Sequence, residues 1–169
     1  MNYADICNCD TLNGKGFRVT LFVSGCGKTP KCKGCHNSAA WDFNYGNKYT
    51  YDTEISILDK CSKPYISGLS LLGGEVFDNL NDSSLINLVK KFKTRYPYKD
   101  IWCWTGYTYE ELIKKDKNLS FLNYIDILVD GEYIPELKDL SRPYGNSSNQ
   151  RVIDVKKTLK NKKIIIYNS

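Results

Sequence analysis

The sequence predicts an α/β fold with mostly parallel strands, arranged as an open sheet or a partial barrel. Two observations carry that prediction. Short apolar runs alternate with stretches of helical periodicity, and glycine-bearing polar motifs directly follow four of those runs. Strand–helix–strand alternation implies parallel strands joined by right-handed crossovers.

Phe17–Val23 (FRVTLFV) is rich in β-branched and aromatic residues and reads as a buried strand. Shorter strands are predicted at 69–72, 101–104, 125–129, 151–155 and 163–167. Leu85, Leu88, Val89 and Phe92 follow the i, i+3, i+4, i+7 spacing of one buried helix face, with Asp82 or Ser83 as cap and Pro97 beyond the end. Thr108 and Glu111 form a capping-box pair that opens another helix. A helix is also predicted over 53–61.

The four motifs are Gly25-Cys26, Gly73-Gly74-Glu75, Thr105-Gly106-Tyr107 and Asp130-Gly131-Glu132, after the first four strands in turn. Ligands of α/β sheets bind at the carboxyl ends of the strands. Parallel strands therefore gather all four motifs on one rim, although they are far apart in sequence.

The bulk composition narrows the class. A chain of 169 residues fits one domain, 1–169. At this length roughly 70 % of the unfolded surface can be buried, so the core needs no covalent staples. Hydrophobic residues make up 41 % and aromatics 13 %, too rich for disorder. No apolar run approaches the roughly 20 residues of a membrane span. The start, residues 1–10, is polar and lacks a signal-peptide pattern, so the expected location is the cytoplasm. The net charge is +5, with lysines at 156, 157, 160, 162 and 163, which read as a solvated edge rather than a nucleic-acid surface.

Seven cysteines, an odd number in a chain expected to be cytosolic, argue against a disulfide framework and towards metal or redox chemistry. Cys26, Cys32 and Cys35 form C-x5-C-x2-C in a loop with Gly25, Gly27, Pro30 and Gly34, residues that let a short loop wrap a compact ligand. Three thiolates suit a soft metal centre. An iron–sulfur cluster usually takes four cysteines, so three leave one iron open. Zinc, with His36, Cys7 or Cys9 as fourth ligand, fits the spacing equally well. The GGE motif on the same rim favours the cluster. Cys61 and Cys103 read as small buried residues, and Cys7 and Cys9 as bystanders at a mobile end.

The stretch 13–37 (NGKGFRVTLFVSGC…CKGCHN) resembles the start of radical S-adenosylmethionine (SAM) activating enzymes, and LSLLGGE (69–75) is similar to their glycine–glutamate motif. WTGYTYEEL (104–112) and the segment 128–155, ending SSNQRVIDV, resemble one branch, the anaerobic (class III) ribonucleotide reductase activating proteins. The cysteine spacing departs from that family's C-x3-C-x2-C by two residues within Gly27 to Lys31, and Val76 stands where a proline often follows GGE.

The resemblance implies a compact partial (β/α) barrel forming one radical SAM domain. It implies a 4Fe–4S cluster bound by Cys26, Cys32 and Cys35, with SAM chelating the fourth iron. Gly73, Gly74 and Glu75 would meet the methionine end, and Gly34, His36, Asn37 and Thr105 would line the rest of the site. The reaction it implies is formation of a 5′-deoxyadenosyl radical that places a glycyl radical on the reductase large subunit, with a flavodoxin-type donor as reductant. No side chain is assigned an acid–base role. The alternatives are a radical SAM synthase acting on a pteridine- or deazapurine-type molecule, and a non-enzymatic zinc module.

Overall fold

A computed structural model describes residues 1–168. Its strands are β1 (Asn2–Asp10), β2 (Phe17–Val23), β3 (Asn47–Lys48), β4 (Ile66–Gly73), β5 (Asp100–Trp104), β6 (Ile127–Asp130) and β7 (Arg151–Asp154). Its helices are α1 (Tyr51–Cys61), α2 (Ser84–Arg95), α3 (Tyr109–Leu112), α4 (Asp116–Leu122) and α5 (Val155–Asn161). The strands form one sheet in the order β3-β1-β2-β4-β5-β6-β7. The middle four, β2, β4, β5 and β6, are parallel, whereas β1, β3 and β7 run antiparallel to their neighbours.

Caps and periodicity explain the helices. At α1 the Thr50 hydroxyl accepts from the Thr53 N–H and Thr53 reciprocates, a complete capping box. The expected box at α3 is also present, with Thr108 accepting from Glu111 N–H and the Glu111 carboxylate accepting from Thr108 N–H, although that helix runs for only four residues. On α2 Ser83 occupies the N-cap position but its side chain makes no capping bond; the Asp82 carboxylate accepts the Ser84 N–H. Leu85, Leu88, Val89 and Phe92 are fully buried, as their spacing requires.

Alternation along the strands divides the sheet into two unlike faces. Val19, Leu21 and Val23 of β2, Leu69 and Leu71 of β4, Ile101 and Cys103 of β5, and Leu128 of β6 share one hydrophobic cluster with the buried residues of all five helices. The intervening residues, Arg18, Thr20 and Phe22, Ser70 and Leu72, and Trp102 and Trp104, face the other way. There Arg18 is completely buried, donates to Ser70 Oγ at 2.6 Å, and stacks 5.5 Å from the Trp102 ring centroid. Trp102 in turn lies 5.8 Å from Trp104.

Three expectations need correction. Residues 1–10 are not a mobile end: β1 pairs along β2, with Cys7 opposite Thr20. Its polar sequence hides the strand because main-chain pairing and a few anchors hold it. Tyr3 and Ile6 pack on the core, and Asp10 accepts from Thr20 Oγ1 at 2.7 Å. β7 pairs antiparallel with β6, an exception within the mostly parallel arrangement, because the chain between them returns without a crossover helix. The strand expected at 163–167 is reduced to a single bridge, Ile153↔Ile166. The strand expected at 125–129 begins only at Ile127.

Phe92 packs into the core from the last turns of α2 and is fully buried. Phe92→Ala should lower the unfolding free energy by about 3–5 kcal/mol in urea titration. A loss under 1 kcal/mol would show that the helix-packed face is not the main source of stability.

Candidate functional site

The parallel strands end in register: Val23 lies opposite Gly73, Leu71 opposite Cys103, and Trp104 opposite Val129. The loops that leave them therefore meet. Immediately after β2, Gly25 donates to Ala40 O at 2.8 Å with a φ of 98°, where a Cβ would collide with the Phe43 ring. Cys26 follows, its N–H on Trp41 O at 3.2 Å. Cys35 N–H bonds back to Cys32 O at 3.3 Å. All three thiols are unbridged; Cys26 is buried, and Cys32 and Cys35 are half-buried.

A cavity of about 370 Å³ opens beside the loop. Cys32, Cys35, His36 and Asn37 form one wall; Gly73, Gly74, Thr105 and Gly106 form another. Phe22, Leu72 and Trp104, the helix-free face of three strands, line it from below. Three of the four motifs expected on one rim contribute to the lining, through Gly73-Gly74, Thr105-Gly106 and Gly131, whereas Cys26 lies behind the cavity wall. A depression of about 480 Å³ along α1 contains none of these residues. His36 packs obliquely on Tyr133, ring centroids 4.7 Å apart. Gly34 lies at the outer edge of the loop against Pro135 and Tyr133.

Glu75 does not line the cavity. It is 1 % exposed and accepts from Phe77 N–H at 3.1 Å, Thr105 Oγ1 at 2.8 Å and Gly106 N–H at 2.8 Å. It ties the β4 loop to the β5 loop, and burial pushes its pKa up to about 7 against the pull of those donors. Gly73 and Gly74 meet the cavity with backbone instead. A Cβ on Gly74 would strike the carbonyls of Gly25 and Ala40.

The donor chemistry suits a soft metal centre. Burial raises the Cys26 thiol, and burial with the Glu132 carboxylate pushes Cys32 up to about 11, so both keep their protons until a cation displaces them. Among the described residues, no three His, Cys, Asp or Glu side chains are gathered closely enough to hold a single metal ion. A cluster makes a different demand, since each thiolate takes its own iron and the sulfurs stand further apart. Cys7 and Cys9 are not at the site: Cys7 pairs with Thr20, about 10 Å short of the end of β2. Cys61 and Cys103 are fully buried in the core, as expected.

Several residues escaped the sequence reading. Phe22, Leu72 and Trp104 carried a signal in their alternation with buried core positions. Asp78, which accepts from Gly27 N–H at 2.6 Å and Tyr107 OH at 3.1 Å, carried none. Arg151 holds local carboxylates, with Asp130 and Glu110 both paired to its guanidinium.

Three free thiols on a glycine-bearing loop, at the carboxyl ends of parallel strands, fit the class of iron–sulfur proteins that hold a single cluster. The family model for a 4Fe-4S single cluster domain matches residues 12–153. Curated relatives agree. An anaerobic ribonucleoside-triphosphate reductase-activating protein of Enterobacteria phage T4 is 41 % identical over 152 residues, covering 90 % of this chain and 93 % of its own length. Proteins of the same name from Vibrio cholerae serotype O1 and Escherichia coli K12 are 43 % and 38 % identical, each covering 96 % or more of their own length. The chain belongs to the family of anaerobic ribonucleoside-triphosphate reductase-activating proteins.

The raised pKa of Glu75 has a stability consequence. Its folded value, about 7, lies above the unfolded value of 4.5, so the folded state binds the extra proton. That contribution is complete below about pH 4.5 and is lost as the pH rises through about 7. Urea titrations of the metal-free protein should show stability falling between pH 5 and 8, and Glu75→Gln should flatten that slope. An equal slope in both proteins would place the titration elsewhere.

Proposed function

We propose that this chain is a radical SAM activating enzyme for anaerobic ribonucleotide reductase, acting as one domain over 1–169. The observation that carries the reading is the convergence of Cys32 and Cys35 from the cysteine loop, the Gly73-Gly74 backbone and Thr105 on one cavity of about 370 Å³. In this reading Cys26, Cys32 and Cys35 hold the 4Fe–4S cluster and leave one iron for SAM. When bound, cluster and SAM together supply the 5′-deoxyadenosyl radical that takes a hydrogen atom from a glycine of the reductase large subunit.

The chain's own residues bind, orient and shield. Gly73 and Gly74 present bare backbone to the methionine end, where their lack of Cβ permits close approach. Glu75 acts from behind them, holding Thr105 and Gly106 in place through its three accepted hydrogen bonds. His36 and Asn37 complete the cysteine side, and Gly34 turns the loop behind them rather than lining the cavity. Phe22, Leu72 and Trp104 give the cavity an apolar floor that keeps water from a reactive radical.

The helix-free face of the sheet, with its buried Arg18–Trp102 stack, is the concave side of a partial (β/α) barrel in this reading. The open rim suits a protein loop as substrate. The reductant is of the flavodoxin type, and the site of action is the cytoplasm; no helix among the described residues is long and apolar enough to cross a membrane.

Anaerobic incubation with SAM, a reductant and the reductase large subunit should give a glycyl radical signal by electron paramagnetic resonance (EPR). Cys32→Ala should reduce 5′-deoxyadenosine formation to background. SAM cleavage at the wild-type rate in Cys32→Ala would refute the assignment of the cluster ligands. Wild-type SAM cleavage without a glycyl radical would redirect the enzyme to a small-molecule substrate.

A further inference from the structure

Five residues separate Cys26 from Cys32, and two of them are lysines that fold inward. Lys31 donates to the Cys26 carbonyl. Lys28 reaches across the site: its ammonium donates to Gly106 O at 2.8 Å, stands 3.7 Å from the Glu132 carboxylate, and lies 4.9 Å from the Tyr107 ring centroid. Its side chain is only 14 % exposed. A lysine head withdrawn this far from water needs compensation, and it receives a carbonyl, a carboxylate and an aromatic face.

These contacts lock the long arm of the cysteine loop to two other strand ends. Gly106 is gripped at both ends of its residue, its N–H by Glu75 and its C=O by Lys28. Beside it, Gly27 N–H and Tyr107 OH share the Asp78 carboxylate. Lys28, two residues after Cys26, thus joins the cysteine loop to the Gly106 turn and to Glu132. Lys28 also supplies a unit positive charge within the loop that bears the thiols, where limited solvent weakens screening.

Resting on the cluster reading above, we propose that Lys28 is a positioning residue for the iron–sulfur site, tethering the extended cysteine loop and raising the cluster's reduction potential through its fixed charge. Thiolate-ligated clusters carry net negative charge that grows on reduction. A nearby cation favours the reduced form, and net charge and hydrogen bonding near the cluster set its potential. Glu132, which pairs with the ammonium and whose carboxylate also lies against Cys32, pulls the potential the other way.

The test uses the anaerobically reconstituted full chain without SAM or reductase. EPR-monitored redox titration gives the midpoint potential, and a chelator challenge gives the rate of iron loss. Lys28→Met should shift the potential to more negative values and speed iron loss several-fold; Lys28→Arg should restore the potential; Glu132→Gln should shift it upward. A wild-type potential in Lys28→Met overturns the proposal, as does an equal shift in Lys28→Met and Lys28→Arg. Should Lys28→Met take up no cluster, Glu132→Gln decides: an upward shift supports the electrostatic role and no shift overturns it. Stoichiometric zinc without sulfide in the wild type would instead refute the cluster reading itself.

Discussion

Gly74 donates its N–H to Val23 O at 2.7 Å, and Glu75 donates its own to Gly25 O at 2.7 Å. These two bonds carry the β2–β4 pairing past the ends of both strands and press the two outgoing loops together, so closely that only glycine fits at 74. Asn79 adds a side-chain amide to the same Gly25 carbonyl at 3.2 Å. The start of the cysteine loop is thereby fixed against the glycine–glutamate turn. The Glu75 carboxylate then extends the brace to Thr105 and Gly106. Three loops become one rigid rim because a buried acceptor and two backbone bonds leave them no independent freedom.

The two faces of the sheet divide the work. One carries aliphatic residues that pack against five helices and provides the hydrophobic stabilisation. The other carries a buried arginine, small hydroxyl residues and two tryptophans, which pack among themselves and leave a cavity at the strand ends. A site built on strand termini over such a floor holds its groups more precisely than one built on loops alone.

Charge at the rim is mixed and mostly paired. Lys28 faces Glu132, and Lys33 faces Glu136 at 2.9 Å on the exposed side. Cys26 and Cys32 sit among these pairs with raised proton affinity, so metal uptake must release protons and favour neutral or higher pH. Burial that disfavours bare thiolates also disfavours their reaction with anything but a strongly bound soft metal.

The site was legible where chemistry and periodicity lie in contiguous residues. FRVTLFV specified β2, the Leu85–Phe92 spacing specified the buried face of α2, and the Cys32–Cys35 and Gly73-Gly74 parts of the two motifs lie on two sides of the cavity. β1 was not legible because its strand character comes from main-chain pairing to β2 rather than from NYADICNCD itself. The direction of β7 depends on how residues 131–150 return, a path held by long-range bonds such as Gln150 Nε2 to Gly131 O at 3.0 Å.

By itself the sequence determined which residue types stand at the ends of successive strands, and hence the chemistry available at the rim, because side-chain identity and strand periodicity are local properties. Only the tertiary structure decided how those residues are used. Glu75 turned inward as a brace, Arg151 was taken up by Asp130 and Glu110, and Lys28 was drawn across the site. Each of these depends on which donors and acceptors from distant segments arrive within hydrogen-bonding reach, and that distance is set by the packing of the whole sheet.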